Sequence, residues 1–531
     1  MLSARSTSDA SESLLGADDV SYAATDSTEE SYGHFDARHG DYDDFQLHAR
    51  YATGQRRQAI QAGSRDWGLA MMRVDGTLNE ANEDEHLDMA NNGVSIDELA
   101  EMCKELAHDP DLKSIDLSGN MLGLLHPDGC PPPRPPDGHQ YPDMPAVRVL
   151  ADAIRENDAL TRVNVSRNCL GDLGQLSLRN LIDACKGKKN LAILDLSANG
   201  ILGPEGNRMP SMAYLCKTVL PGLHLMHLSL AYNELHSEAL KLLTPCTMGN
   251  TPQLRALLCV DLASNRVSEE PRGDYDPSGV RLFSRAICSN MTLTALNLSD
   301  NRLGNAECEC VVAAAAQMQT LKALHLDDNL IHAQGACAVQ EHLFADEHLE
   351  WLDLSGNPIT DDGATHIAEM INLNTKLHTL GLARCGLGEG TCKLLDVSLE
   401  VNTSLTRLDF SENDVTAMRE RYVNDSCKAN RELLSCRDRP RHYLYNEQRG
   451  ITRKHLLKKI HHLDKAKLRQ LLANPTFTND KLMHRRLLEL VPPDRHKLVF
   501  RCVRVWRREN RVRERKQLGG EGRREYLFGR V

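Results

Sequence analysis

The chain has 531 residues, of which 41% are hydrophobic and only 4% aromatic, so it can bury an extended core of small aliphatic side chains. No apolar run reaches the roughly 18 residues of a membrane helix, and no secretion signal opens the chain, which predicts a cytoplasmic protein without a membrane span. Nucleic acid is not expected as a partner, and sixteen cysteines without paired C-x-x-C spacing predict reduced, packed thiols.

Acidic and basic residues are unevenly distributed along the chain. Residues 416–531 carry 31 Lys and Arg against 13 Asp and Glu, a balance of +18, which leaves −29 on residues 1–415. Residues 1–65 are acidic and Ser-rich and show no sustained apolar period. We therefore predict a disordered N-terminal arm, followed by a folded domain at residues 66–440 and a basic segment at residues 441–531.

A leucine-rich motif recurs through the middle of the chain. Eleven copies of Leu-x-x-Leu-x-Leu-x-x-Asn-x-Leu, some of them worn, run from Asn92 to Asn413, and Cys385 replaces Asn in the tenth. A buried Asn at each turn can satisfy backbone groups of adjacent repeats, which predicts a structural ladder. Its predicted members are Asn120, Asn168, Asn199, Asn233, Asn265, Asn301, Asn329, Asn357 and Asn413.

Each copy joins a stretch of period-2 alternation, typical of a short strand, to a segment with helical spacing. Because one such unit cannot bury its apolar face alone, neighbouring units are expected to stack. The predicted fold is an α/β solenoid of about 11 repeats, a horseshoe with a parallel β-sheet on the concave face and α-helices on the convex face. Ser95 and Glu98 predict a capping box, with the first outer helix at residues 95–107.

This motif, held in one register, resembles the leucine-rich repeat family, specifically its long, helix-bearing ribonuclease-inhibitor type, over about residues 82–440. The resemblance implies a leucine-rich repeat solenoid that binds proteins. The Ran GTPase-activating proteins are similar solenoids of about eleven long repeats. That family ends its solenoid in an acidic segment, whereas this chain becomes basic, and no loop residue here matches its functional Arg or Asn.

Two insertions lengthen individual repeats, at about residues 124–144 and 271–279. The first contains the run from Cys130 to Pro136, which predicts exposed polyproline II. This run is a candidate ligand for the groove of an SH3, WW or profilin-like domain. The alternative is a stiff loop that binds no partner. Both insertions follow a predicted strand, so we expect them to project from the same rim.

The concave face is the predicted protein-binding surface. Strand alternation points an acidic column into it, which favours a partner with a basic surface; the alternative is that these residues only follow the repeat consensus. Among the outward strand positions, Trp351 is the predicted binding anchor. The alternative is that this Trp packs on its neighbouring repeat. The predicted site residues are Asp116, Asp195, Asp261, Asp353, Asp409, Arg162, His227, Trp351, His378 and Arg407.

The repeat pattern fails after Asn413, so we predict that the solenoid ends near residue 440, with Leu433 still at a strand position. A basic amphipathic helix is predicted at residues 494–516, with an apolar face at 1-5-8-14 spacing formed by Val499, Val503, Trp506 and Val512. It looks like a calmodulin target. Tubulin tails, other acidic partners, membrane surfaces, nucleic acid and nuclear import would select similar residues, and docking on its own solenoid is the alternative.

Enzyme motifs are absent from the sequence. It contains no Gly-x-x-x-x-Gly-Lys-Ser/Thr phosphate loop, which disfavours a complete NOD-like receptor, and no His-Glu-x-x-His or Gly-x-Ser-x-Gly. We predict no catalysis, cofactor or metal site. The favoured function is a protein-interaction scaffold. Its expected setting is the cytoskeleton or cilium, and the nucleus is the alternative location. The alternatives are activation of a Ran-like GTPase, inhibition of a ribonuclease or effector, and an adaptor that is regulated by calmodulin or autoinhibited through its basic helix.

Overall fold

The computed structural model describes residues 85–125, 143–173, 175–202, 209–247, 257–270 and 273–435. Within them, eleven strands of three residues each form one parallel sheet in chain order. The strands are β1 His86–Asp88, β2 Ser114–Asp116, β3 Arg162–Asn164, β4 Ile193–Asp195, β5 His227–Ser229, β6 Cys259–Asp261, β7 Ala295–Asn297, β8 Ala323–His325, β9 Trp351–Asp353, β10 Thr379–Gly381 and β11 Arg407–Asp409.

A helix follows each strand. The helices are α1 Ile96–His108, α2 Pro145–Glu156, α3 Gln175–Ala184, α4 Pro210–Tyr214, α5 Ser237–Thr247, α6 Ser278–Ile287, α7 Asn305–Ala315, α8 Ala333–Leu343, α9 Thr360–Leu373, α10 Glu389–Val401 and α11 Ala417–Ser435. The short α4 continues into a π-helical turn and a 3₁₀ turn, Leu215–Val219 and Leu220–Gly222. No helix among the described residues is both long and apolar enough to cross a bilayer.

The main core lies between the sheet and the helix layer. The middle residue of each strand points into it, as Leu194, Leu324 and Leu352 do, and aliphatic side chains of the helices close it from the other side. Neighbouring strands pair residue for residue, so each strand position lies beside the same position of the next repeat. The predicted fold class, a leucine-rich repeat solenoid with about 11 repeats, is confirmed.

The asparagine ladder joins the turns that follow successive strands. The side-chain oxygen of Asn168 accepts hydrogen bonds from the backbone N–H groups of Asn120 and Leu122, at 3.0 and 3.3 Å. Its amide group donates to the carbonyls of Leu117 and Val165, both at 2.9 Å. Each side chain thus supplies hydrogen-bond partners to backbone N–H and C=O groups of neighbouring repeats, which the short strands do not pair. Equivalent contacts hold Asn199, Asn233, Asn265, Asn329, Asn357 and Asn413.

The ladder is interrupted at two places. The side-chain oxygen of Asn301 is buried and has no hydrogen-bond partner within the described part of the chain, just after the second insertion. At Cys385 the thiol donates weakly to the carbonyls of Leu354 and Ala383, at 3.3 and 3.4 Å. A thiol is a poor acceptor, so the N–H of Ile359 turns instead to the carbonyl of Asn357.

A second set of buried asparagines lies where helices end. Asn374 donates to the carbonyl of Leu343, and Asn402, 28 residues later, donates to that of Ile371, both at 2.7 Å. Asn430, a further 28 residues on, donates to the carbonyls of Asn402 and Leu405, at 3.2 and 2.7 Å, but from within α11. This second ladder was not predicted from the sequence. Its signal is an Asn three residues before the first Leu of a repeat, as at Asn374 before Leu377.

Several sequence predictions concern the ends of the domain. The capping box is confirmed, because Ser95 caps α1 and the Glu98 side chain accepts from the Ser95 backbone. The strand position predicted for Leu433 is wrong, since residues up to 435 continue α11. The N-terminal arm, the proline-rich run and the basic helix with Val499, Val503, Trp506 and Val512 lie outside the described residues.

Candidate functional site

The open sheet face is the face that points away from the helices, and it carries the first and third residue of every strand. The first residues are His86, Ser114, Arg162, Ile193, His227, Cys259, Ala295, Ala323, Trp351, Thr379 and Arg407. The third residues are Asp88, Asp116, Asn164, Asp195, Ser229, Asp261, Asn297, His325, Asp353, Gly381 and Asp409. These two columns run across the whole sheet in strict register.

The acidic column first serves the turns. One carboxylate oxygen of each predicted Asp accepts a hydrogen bond from the backbone N–H two residues later, at 2.9–3.2 Å. The five residues are Asp116, Asp195, Asp261, Asp353 and Asp409. These are Asx-turn contacts, which fix the chain direction after the strand. The second oxygen of each carboxylate is left for other contacts, such as the amide of Asn164 on Asp116 at 2.8 Å.

The centre of the open sheet face is buried. All three residues of each strand from β5 to β8 are buried, although alternate side chains point away from the helices. Cys259, Ala295 and Ala323 form a small apolar cluster there with Ile193. The prediction that His227 and Asp261 are exposed for binding on this face is wrong, since their exposures are only 8% and 5%. Small neighbours let the adjacent side chains close over them.

Burial changes the titration of the column. It raises the pKa of Asp261 to about 6, with the charge of Asp195 adding to the effect. Burial likewise raises the pKa of Asp195 and of Asp353, the latter also through the charge of Asp327. His227 moves oppositely, because burial and the Arg162 guanidinium lower its pKa to about 4. Neutral forms are therefore favoured at the centre of the face.

Trp351 lies at the border between the buried centre and the more open C-terminal strands. It is half-buried, packs against the apolar cluster at Ala323, and has its ring centroid 5.7 Å from that of His325. Its indole N–H finds no acceptor among the described residues, and the Nε of Arg162 and the Nδ1 of His227 are likewise unpartnered. All three atoms belong to the first-residue column.

The remaining predicted residues differ in their exposure and in their position on the sheet. Arg407 and Asp409 lie exposed on β11 at the C-terminal end of the face, while Asp116 and Arg162 are half-buried near its other end. The placement of His378 on an outward strand position is wrong. His378 lies one residue before β10, and Thr379 holds the register position between Trp351 and Arg407.

A cluster of three potential metal ligands was not predicted from the sequence. The ligand atoms of His325, Asp327 and Asp353 all lie within 4.8 Å of one another on the open sheet face. The imidazole Nδ1 is 3.7 Å from a carboxylate oxygen of Asp327. A signal was available, because the eighth repeat reads His-Leu-Asp where its neighbours carry Asn-Leu-Ser and Asp-Leu-Ser.

Comparison with known proteins agrees with this architecture. A family profile described as Leucine Rich repeat matches residues 289–306, 345–368 and 401–417. The chain is 28% identical to the ribonuclease inhibitor of Sus scrofa over 330 residues, covering 58% of this chain and 65% of that protein. It is 28% identical to the human NACHT, LRR and PYD domains-containing protein 13 over 269 residues, covering 50% of this chain but 24% of that protein.

The chain thus spans about a quarter of the length of that NACHT protein and just under two thirds of the ribonuclease inhibitor. Among solved structures, the leucine-rich repeat-containing protein LegL7 from Legionella pneumophila aligns with a TM-score of 0.38 and 16% identity, covering 64% of this chain and 97% of that one.

The sheet, the ladder and the matching repeats define a leucine-rich repeat protein. Its long repeats, each of which carries a helix after its strand, place it in the ribonuclease-inhibitor type.

Proposed function

We propose that this chain is a non-enzymatic interaction protein that binds a partner protein through the open sheet face, with Trp351 as the anchor. The observation that carries the proposal is the half-buried indole, which leaves part of a large apolar ring exposed on the open sheet face. Trp is also among the residues that contribute most at protein interfaces.

The charge around Trp351 supports a partner with a basic surface. Asp353 and Asp409 each use one oxygen for an Asx turn, and no hydrogen bond reaches the other oxygen from the described part of the chain. Burial raises the pKa of Asp353, which means that its negative charge is poorly stabilised in the free protein. A cationic side chain of a partner would stabilise that charge. Complementary charge speeds association and selects partners.

The first test compares Trp351→Ala with a matched control in the full chain. Phe344→Ala is suitable, because Phe344 is a large apolar residue with 42% exposure at the end of α8 in the helix layer. Affinity capture followed by quantitative mass spectrometry should show at least one protein retained by the wild type and by Phe344→Ala but lost with Trp351→Ala. For that protein, affinity should fall by about 2 kcal/mol, or roughly thirty-fold.

Two further observations would decide against the proposal. Equal retention of every captured protein by Trp351→Ala and the wild type would remove Trp351 from the interface. Binding that does not weaken with rising salt would exclude the basic partner surface, because exposed charge pairs are screened.

Ribonuclease inhibition is the second candidate, and it is favoured by the similarity to proteins named ribonuclease inhibitor. A ribonuclease assay with increasing concentrations of the full chain tests it directly. Loss of ribonuclease activity at stoichiometric chain would assign this function, and unchanged activity at a large excess would exclude the ribonuclease used.

The other predicted partners stay predictions from the sequence. A GTP hydrolysis assay with Ran tests the GTPase activator, and stimulation by orders of magnitude would replace the scaffold proposal. Calmodulin binding and autoinhibition both require the basic helix at residues 494–516. A chain truncated after residue 440 that binds its partner with unchanged affinity and salt dependence would exclude autoinhibition through the open sheet face.

A further inference from the structure

The eighth repeat departs from the others at two positions of the open sheet face. Its third strand residue is His325, whereas the other ten repeats carry Asp, Asn, Ser or Gly there. Two residues later stands Asp327, where all ten other repeats carry Ser or Ala. A turn in this repeat type therefore does not need a carboxylate at that position.

The two substitutions bring three metal-binding side chains together. His325 and Asp353 are register partners on β8 and β9, and Asp327 follows His325 in the same turn. Their ligand atoms lie within 4.8 Å of one another. Donor atoms around a four-coordinate zinc ion are roughly 3.3 Å apart, so short side-chain rotations suffice to close the set on one ion.

The surrounding residues hold these side chains in place. The imidazole of His325 is nine-tenths buried and lies against the ring of Trp351 at an angle of 33°. The Ser299 hydroxyl donates to Asp327. A Cβ at Gly381 would collide with the carboxylate of Asp353, so the glycine on the next strand makes room for it. Preorganised ligands of this kind favour binding, because less side-chain freedom is lost.

No Lys or Arg balances the carboxylates of the cluster within the described residues. Across the ranges that the structure describes, neither Asp327 nor Asp353 forms an ion pair with Lys or Arg, and the nearby Arg384 pairs with Asp328 at 3.1 Å. One imidazole nitrogen with two carboxylate oxygens is a donor set suited to Zn²⁺ and neighbouring first-row divalent ions.

We infer that His325, Asp327 and Asp353 form a binding site for a divalent transition-metal ion, with Zn²⁺ as the best match and a fourth position open to water or a ligand. The site does not depend on the proposed protein partner, and its failure would leave that proposal intact. An ion here would lie beside Trp351, at the border of the proposed interface.

Two variants test the site while keeping the repeat pattern. Asp327→Ser gives the eighth repeat the residue of its neighbours Ser299 and Ser355, and His325→Asn gives it that of Asn297. Asp195→Asn is the matched control, because Asp195 belongs to the same acidic column without a histidine beside it. Circular dichroism and thermal melting establish that each full chain folds.

The measurement is titration of the metal-free full chain with Co²⁺, followed by visible absorption, and with Zn²⁺, followed by calorimetry. Both variants should lose one bound equivalent, or bind it at least tenfold more weakly, while Asp195→Asn keeps it. Zn²⁺ should also raise the melting temperature of the wild type more than that of Asp327→Ser. The inference is overturned if all four proteins bind the ions alike, or if Asp195→Asn loses the equivalent as well.

Discussion

At the residue scale, two buried groups on neighbouring strands of the open sheet face respond oppositely to pH. The pKa of Asp261 is raised to about 6 by burial, so folding favours its protonated form and loses stability as pH rises from 4 to 6. The pKa of His227 is lowered to about 4, so folding favours its neutral form and loses stability as pH falls from 6.5 to 4. Each effect amounts to about 3 kcal/mol, and the two oppose each other in the intact protein.

Single substitutions should separate these two effects. Asp261→Asn keeps an oxygen for the turn, as Asn297 does on the next strand, and should become more stable than the wild type by about 3 kcal/mol at pH 7 but not at pH 4. His227→Gln should gain over the wild type at pH 4 and not at pH 7. Urea unfolding from pH 4 to 7 measures both differences, and parallel curves for all three proteins would contradict the assignment.

The site residues show what a single sequence can reveal at this scale. Trp351, Arg407 and the Asp column follow from strand alternation, because every strand points its outer residues the same way. His378 was misplaced by one residue, although the repeat period assigns Thr379, 28 residues after Trp351, to this column. The burial of His227 depends on side chains from adjacent repeats, which periodicity alone does not describe.

At the element scale, the second asparagine ladder anchors helix ends to the following strand. Asn402 donates to the carbonyls of Ile371 and Asn374 at 2.7 and 3.0 Å, and it accepts from the N–H of Ser404 and of Leu405. Without the side chain these buried groups lose their partners, at about 1–3 kcal/mol for each group that stays unpaired. Asn402 thus ties the ends of α9 and α10 to the start of β11.

Substitution of Asn402 tests this role. We expect Asn402→Ala to lower the free energy of unfolding by about 3 kcal/mol, because water can reach only part of the exposed pairing groups. Asn372→Ala is the control, since Asn372 is exposed on α9 and its loss should change stability by less than about 0.5 kcal/mol. Equal urea midpoints for the two variants would show that the second ladder does not stabilise the chain.

The elements themselves were the most predictable level of this protein. The Leu spacing located each strand, and the apolar spacing after it located each helix, because stacked repeats must all bury the same face. The exception is residue 433, which keeps the strand phase of the repeat but lies in α11. No twelfth strand forms in the described part of the chain, and α11 continues through this position instead. From inside α11, the Asn430 side chain donates to the carbonyls of Asn402 and Leu405.

At the scale of the whole molecule, the first asparagine ladder is divided into three sections by its interruptions at Asn301 and Cys385. Each repeat packs mainly on its chain neighbours, so stability is close to a sum of repeat terms and interface terms. An interface with a weaker ladder contact is where such an array opens first. At the Cys385 interface, Thr360 also has a φ of +60°, which is unfavourable for a β-branched residue.

Hydrogen exchange should therefore show that β10, β11 and the helices after them open before β7 to β9. Cys385→Asn would supply the missing acceptor, as Asn413 supplies it to the N–H groups of Cys385 and Leu387 at 2.9 and 3.1 Å. We expect this variant to slow exchange in the last two repeats and to stabilise them by about 1 kcal/mol. Cys392→Asn is the control, because Cys392 is buried in α10 without a ladder position, and an amide there should destabilise the repeat. If Cys385→Asn exchanges as fast as the wild type, the thiol already serves the turn as well as an amide, and the early opening of these repeats has another cause.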